Sequence, residues 1–192
     1  PPGRQKVDTF AVGESYRRRV YAFLRKQVAA GHQVFIVCPL VHSGEDVPDE
    51  RKAVTAYAKH LQEEVFPDLR VAVLHGKMKP KEKDAVMSAF AAGESDILVS
   101  TTVIEVGVDV PNANTMVVEN AERFGLSQLH QLRGRVGRGS AKSYCILLSD
   151  TQSEQTRQRL KVLTQTNDGF RISEEDLRLR GPGDFFGQRQ HG

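Results

Sequence analysis

The segment of this chain with the most useful chemistry is residues 128–139, QLHQLRGRVGRG. Gln131, Arg135 and Arg138 follow one another at intervals of four and then three residues, which on a helix places all three side chains on one face. Two permanent cations and an amide suit a planar or tetrahedral anion, and phosphate is the obvious candidate. The glycine that precedes each arginine leaves room for a large ligand. A solvated basic face that ends in a glycine cap is the alternative interpretation of these residues alone.

A second segment with possible ligand chemistry is residues 99–113, VSTTVIEVGVDVPNA. The hydroxyl groups of Thr101 and Thr102, with nearby backbone N–H groups, can hold a phosphate. Gly107 lets the backbone approach a ligand, and the carboxylate of Asp109 can accept hydrogen bonds from a sugar hydroxyl. Taken alone, an ordinary polar loop explains the same residues.

A third segment, residues 75–78, combines a histidine with a glycine in the sequence HGKM. A neutral His75 beside Gly76 can contact a nucleic-acid backbone at the end of a strand. A histidine that is satisfied by a local hydrogen bond is an equally good interpretation of this segment.

The hydrophobic pattern predicts the elements that must position these segments. Strands are predicted at 7–12, 33–41, 70–74, 96–100, 115–119 and 143–148, and helices at 14–30, 51–65, 81–90, 126–136 and 151–165. Strands that alternate with helices indicate an α/β fold, a doubly wound parallel sheet with helices on both faces. In such folds ligands lie beyond the carboxyl ends of the strands, which is where the three segments fall.

The pattern changes after Leu148. A helix over 151–165, an Asn-Asp-Gly turn at 167–169 and an acidic helix start at 173–176 predict a helical hairpin. A glycine-rich loop then follows, with a disordered tail as the alternative. We therefore divide the chain into residues 1–150 and an appendage of a helical hairpin and loop, 151–192.

Bulk properties narrow the class of protein. The chain has 192 residues, 39% of them hydrophobic, and a formal net charge of +3, which fits a nucleic-acid partner without requiring one. Cys38 and Cys145 lie in apolar runs without paired spacing, so we expect buried thiols of a cytoplasmic protein. The longest apolar runs are too short for a membrane span. Because the first residue is Pro1, we expect the chain to begin partway through a longer protein.

The order of these segments resembles the second of the two RecA-like domains of superfamily 2 helicases. VFIVCPLV (34–41) resembles the region of motif IV, and VLHG (73–76) the next backbone-contacting motif. STTVIEVGVDVP (100–111) resembles motif V, and QLHQLRGRVGRG (128–139) motif VI. The tail, residues 167–192, resembles a motif shared by RecG and the transcription-repair coupling factor, and its NDGF and RGPG sequences are more similar to RecG.

This resemblance implies a role for each candidate residue. Arg135 and Arg138 would act as arginine fingers on the γ-phosphate of ATP, which Gln131 would support. Gly107 and Asp109 would link the nucleotide and DNA sites. The remaining implied residues contact DNA (His75, Gly76, Thr101 and Thr102) or couple ATP hydrolysis to translocation (Arg180, Gly181, Gln188, Arg189 and Gln190).

The sequence has neither a GxxxxGK[ST] phosphate loop nor a DExH or DEAD carboxylate pair. The resemblance therefore implies that ATP and Mg²⁺ are held mainly by a first RecA-like domain outside this chain, and that the isolated chain is inactive. A DNA-wedge domain of the same protein and branched double-stranded DNA are the other implied partners, with no membrane. The implied location is bacterial cytoplasm, associated with the nucleoid.

Three functions remain open from the sequence. The first is the motor half of an ATP-dependent DNA helicase that remodels branched DNA, such as stalled forks and Holliday junctions, in recombination and repair. The second is the motor of the transcription-repair coupling factor. The third is a non-catalytic α/β module that binds nucleic acid, and the missing phosphate loop is the observation in its favour.

Overall fold

The computed structural model describes residues 6–39, 50–101 and 109–180, and all structural statements below concern these residues. Six parallel strands form one sheet in the order β1-β6-β5-β2-β4-β3. The strands are β1 (Val7–Val12), β2 (Gln33–Val37), β3 (Val71–Leu74), β4 (Ile97–Ser100), β5 (Ala113–Val118) and β6 (Ser143–Leu148). The α-helices are α1 (Arg17–Ala29), α2 (Glu50–His60), α3 (Pro80–Ala91), α4 (Leu126–Arg133), α5 (Glu154–Gln165) and α6 (Gly169–Arg180).

Helices cover both faces of the sheet because the strands alternate apolar side chains between the two faces. On β2, Phe35 and Val37 pack into the same core as residues of α3, α4, α5 and α6. Val34 and Ile36 pack on the opposite face, against α1 and α2. The predicted doubly wound parallel sheet with helices on both faces is confirmed.

The hairpin α5–α6 packs onto the body of the domain. Leu160 and Leu163 of α5 and Ile172 of α6 belong to the core that also contains Leu129 and Leu132 of α4. Asn167, in the turn between the two helices, accepts a hydrogen bond from Val7 N (3.2 Å) and donates one to Val7 O (3.3 Å). The side-chain amide thus satisfies the backbone of edge strand β1. The division at residue 150 remains a prediction.

Several predicted boundaries are wrong. The helix over 126–136 ends at Arg133, because the N–H groups of residues 135 and 136 bond to carbonyls three residues back and Gly137 has φ 85°. The helix expected to start at 173–176 begins at Gly169, where Asp168 Oδ1 accepts from Phe170 N at 3.0 Å. The strand expected over 33–41 ends at Val37.

None of the helices in the described ranges has both the length and the apolar character needed to cross a bilayer.

Candidate phosphate-binding site

The helix α4 is fixed by its apolar face and by its first turn. Leu126, Leu129 and Leu132 are buried against the sheet, as the spacing predicts. Gln128 Oε1 accepts a hydrogen bond from Gly125 N at 2.9 Å, which satisfies a donor at the start of the helix. The polar side of α4, which carries Gln131, is therefore turned outward.

Arg135 and Arg138 do not share a helical face with Gln131, because both lie beyond the end of α4. The interpretation of the three residues as one face of a helix is wrong. Arg135 is half-buried, and neither a hydrogen bond nor an ion pair of its side chain is found among the described residues. The Arg138 side chain is 39% exposed, and its Nε donates to Gly134 O at 3.1 Å. The two arginines thus lie on a short glycine-bounded segment rather than on a helix.

Arg138 and Asp109 come from separate predicted segments, and the fold brings them together. Arg138 Nη1 lies 3.7 Å from Asp109 Oδ1, with the Asp109 side chain 54% exposed. A Cβ at Gly139 would stand 2.5 Å from Pro111 O, so only glycine permits this approach of the two segments. Thr102 and Gly107 fall outside the described residues.

Gln131 faces a different part of the molecule. It lines a cavity of about 510 Å³ between α4 and α6, together with Phe170 and other residues of both helices. Phe170 is 82% exposed there. No hydrogen bond or ion pair in the described ranges joins Gln131 to either arginine. Support of a shared phosphate by Gln131 therefore remains a prediction.

The residues predicted to contact DNA lie at the adjacent ends of β3 and β4. Thr101 N donates to Leu74 O at 3.2 Å, which ties the two strand ends together. His75 and Thr101 are buried, whereas Gly76 is exposed. His75 Nδ1 has no hydrogen-bond partner in the described part of the chain. A backbone contact to DNA is accordingly easier for Gly76 than for either side chain.

A buried ionic cluster at the carboxyl edge of the sheet escaped the sequence analysis. Glu119, directly after β5, accepts from Arg17 through both oxygens, at 2.7 Å and 2.9 Å, and from the Tyr57 hydroxyl. The hydrogen bonds that Arg17 donates to Glu119, the largest cause, and to Glu14 raise the pKa of Arg17. Burial, and secondly the Glu119 carboxylate, raises the pKa of Tyr57. An acidic residue at the end of an apolar strand was the only available signal.

This cluster borders a cavity of about 310 Å³ beyond β2, β4 and β5, where ligands of parallel sheets usually lie. Cys38 lines it and is half-buried, not fully buried as expected, because it borders this opening. Burial, with a further contribution from Glu119, raises the pKa of that thiol to about 12. Asn120, with φ 48°, and Arg123 line the same cavity. Thr101, which directly follows β4, also lines this cavity.

The second cysteine and the possible metal-binding groups can be described briefly. Cys145 is 1% exposed, as predicted, and burial raises the pKa of its thiol to about 12. Across residues 6–39, 50–101 and 109–180 no group of three or more His, Cys, Asp or Glu side chains could hold a metal ion. The described residues therefore do not fit Mg²⁺, and its placement on another domain remains a prediction.

Most of the predicted coupling residues lie outside the described residues. Arg180 is the last residue of α6. Gly181, Gln188, Arg189 and Gln190 follow it, beyond the described part of the chain.

Comparisons with known proteins cover the whole chain. The family profile described as helicase conserved C-terminal domain matches residues 17–140, and that of ATP-dependent DNA helicase RecG, domain 3, C-terminal, matches residues 166–192. ATP-dependent DNA helicase RecG of Synechocystis is 53% identical over 192 residues, which are 100% of this chain and 23% of the relative. RecG of Thermotoga maritima is 52% identical over 100% of this chain and 24% of the relative. The chain thus spans about a quarter of the length of these curated relatives.

Solved structures agree with this similarity. The structure of RecG bound to a three-way DNA junction matches with a TM-score of 0.79 and 49% identity, over 96% of this chain and 24% of that chain. Saccharomyces cerevisiae Dbp5 bound to RNA and ADP BeF3 matches with a TM-score of 0.58 and 20% identity, over 85% of this chain and 40% of that chain, which shows the fold alone.

Proposed function

Because this chain belongs to the family of helicase conserved C-terminal domains, we propose that it is the second RecA-like half of the motor of an ATP-dependent DNA helicase of the RecG type. Its substrate would be branched double-stranded DNA, as in the three-way junction of the solved RecG complex. The observation that carries the proposal is the glycine-bounded segment that carries Arg135 and holds Arg138 beside Asp109.

In this proposal the two arginines complete an ATP site whose phosphate-binding half lies on a first RecA-like domain. Closure of the cleft between the domains would bring Arg135 and Arg138 to the γ-phosphate, where they stabilise the charge that develops in the transition state. Arg138 would leave Asp109 to do so. That exposed pair, at 3.7 Å, costs little to break, about 0–1 kcal/mol.

The DNA and coupling roles complete the proposal. The backbone at Gly76, with Thr101 and Thr102, would follow a DNA strand across the carboxyl edge of β3 and β4. The hairpin α5–α6 and the residues after it would convert cleft closure into movement along the duplex. A DNA-wedge domain of the same protein would separate the strands.

We predict that Arg135→Ala or Arg138→Ala in the full-length helicase lowers the kcat of DNA-stimulated ATP hydrolysis by about 10³-fold or more, because an arginine finger contributes on that scale. Binding of branched DNA should stay nearly unchanged, since neither arginine is placed at the DNA. Phosphate release and fluorescence anisotropy with a forked duplex measure the two quantities.

Arg19→Ala is the matched control, because Arg19 is an exposed arginine of α1 on the opposite face of the sheet from α4. It should hydrolyse ATP at the normal rate. Near-normal hydrolysis by both the Arg135 and Arg138 variants would show that the proposed function is wrong.

A further inference from the structure

Arg133, the last residue of α4, is a buried cation. It is 2% exposed and is among the largest fully buried side chains. In the described part of the chain no carboxylate pairs with it. Burial lowers the pKa of this guanidinium, although an arginine remains protonated at physiological pH. A charge in this position needs compensation from neutral groups.

Those groups come from the hairpin and from β1. Arg133 Nη1 donates to Leu163 O at 2.6 Å and to Thr9 Oγ1 at 3.1 Å. Leu163 lies in the last turn of α5, where the carbonyl groups lack helical partners and carry the negative end of the helix dipole. Arg133 therefore caps α5 from a neighbouring helix.

The second nitrogen of the guanidinium contacts His130, one turn earlier on α4. Arg133 Nη2 lies 3.0 Å from His130 Nδ1. Because a guanidinium can only donate, Nδ1 must accept, and the neutral ring carries its proton on Nε2. A Cβ at Gly169, the first residue of α6, would stand 3.3 Å from that Nε2. The His130 ring is thus fixed by Arg133 on one side and lies beside the first residue of α6 on the other.

Stability alone does not account for an arginine here. Removal of a guanidinium from water is costly, and apolar residues of similar volume often replace buried charges without loss of stability. The core around Arg133 already consists of Leu129, Leu132, Leu160 and Leu163. The arginine instead joins α4 directly to α5, two residues before Arg135, and fixes His130, whose ring lies beside the first residue of α6.

We propose that Arg133 is a positioning residue, which holds the hairpin α5–α6 and the segment bearing Arg135 and Arg138 as one moving unit. This inference rests on the proposed function. When the finger segment moves toward ATP, the guanidinium carries the end of α5 and, through His130, the start of α6 with it. Without the guanidinium, ATP hydrolysis continues, but the hairpin moves less with the segment that bears Arg135 and Arg138.

The test is made on the full-length helicase with Arg133→Met, which fills the volume and removes the donors. We expect base pairs unwound per ATP hydrolysed to fall by about tenfold, because residues in such networks change coupling by this order. The kcat for ATP hydrolysis should fall less than about threefold, and the KM for ATP should not change. Arg133→Lys keeps the charge but can make fewer hydrogen bonds, so its decrease in base pairs unwound per ATP should be intermediate.

Met87→Ala is the control for a purely structural effect. Met87 is a fully buried residue of α3 in the same core, and its truncation lowers stability without removing a hydrogen bond to the hairpin. Hydrolysis and unwinding should fall in the same proportion. The same proportional loss in Arg133→Met, or normal coupling in it, would overturn the inference.

If Arg133→Met does not fold, Gly169→Ala provides a second test of the inference. The added methyl group forces the His130 ring to shift by a few tenths of an ångström without uncovering a buried charge, so unwinding per ATP should fall by about threefold. Normal coupling in both Gly169→Ala and Arg133→Lys would then refute the positioning role. Arg135→Ala, run in parallel, isolates the proposed function: if it hydrolyses ATP normally, that function is wrong whatever Arg133 does.

Discussion

Asp96, at the start of β4, shows how a single carboxylate can secure a strand far from the candidate site. Its Oδ2 accepts from Arg70 N at 2.8 Å, and its Oδ1 accepts from Arg70 Nη2 at 2.9 Å. The hydrogen bonds from Arg70, the largest cause, lower the pKa of Asp96. The contact fixes the entry to β3 against that to β4 at the amino edge of the sheet.

We predict that Asp96→Asn lowers the melting temperature at pH 7 by about 2–4 °C, corresponding to about 1 kcal/mol for a chain of this size. The folded pKa of Asp96 lies below its unfolded value, so its contribution is fully present above the unfolded pKa and disappears as the pH falls through the folded pKa. The difference between the variant and the unchanged chain should therefore shrink below about pH 4. Circular dichroism melts across this pH range measure it.

Asp84→Asn serves as the comparison, because Asp84 is exposed on α3 and its side chain makes no hydrogen bond or ion pair within the described ranges. Its melting temperature should stay within about 1 °C of the unchanged chain at every pH. A deficit in Asp96→Asn that does not depend on pH would contradict the carboxylate as the cause.

At the scale of elements, α4 shows what sequence periodicity can and cannot reveal. Leu129, Leu132 and Val136 are all buried, as their spacing predicts. The helix nevertheless ends at Arg133, and Val136 reaches the core from the non-helical segment. Periodicity reports which side chains are buried, whereas the two glycines decide where the helix stops. The burial of the apolar side chains could be predicted, but the conformation that presents Arg135 and Arg138 could not, and their role as phosphate-binding residues stays a prediction.

The first helix of the hairpin provides a second element-scale prediction. Ser153 caps α5, its side chain accepting from Thr156 N at 3.3 Å. Ser153→Ala should lower the free energy of unfolding by about 1 kcal/mol, because a helix donor loses its acceptor. Thermal melts measure the global loss, and hydrogen exchange at the Thr156 amide measures local opening of the hairpin.

The same substitution inside a helix should act in the opposite direction. Ser88 is exposed on α3, where alanine has the higher helix propensity, so Ser88→Ala should leave stability unchanged or slightly raised. If Ser153→Ala behaves like Ser88→Ala, the capping role of Ser153 is wrong.

For the whole molecule, the layered architecture could be predicted from the sequence, but the partners of the charged side chains Arg133, Arg17 and Glu119 could not. Continuous apolar runs such as 33–37 predicted strands covered on both faces. Nothing local distinguishes buried Arg133 from the neighbouring arginines, because its partners Thr9 and Leu163 are distant in the sequence. Arg17 and Glu119 likewise meet only through the fold.

If this chain carries half of an ATP site, ATP hydrolysis should appear when the domain with the other half is added. We predict that this chain, mixed with the first RecA-like domain of its own protein, ATP and forked DNA, hydrolyses ATP at least about tenfold faster than either part alone, since arginine fingers act in trans. Release of inorganic phosphate measures the rate, and the Arg135→Ala chain is the control. No gain over the separate parts would favour a non-catalytic nucleic-acid-binding module.

The position of β1 at the sheet edge has a consequence for biosynthesis. β1 pairs with β6, so the first strand must wait for a partner that is about 130 residues away along the chain. At about 5–20 residues per second a ribosome needs on the order of 10 s to deliver that partner. Strands β2 to β5 can assemble in the meantime, and β1 and the hairpin close the sheet last. Nascent chains stalled before residue 143 should therefore be the species that chaperones recognise.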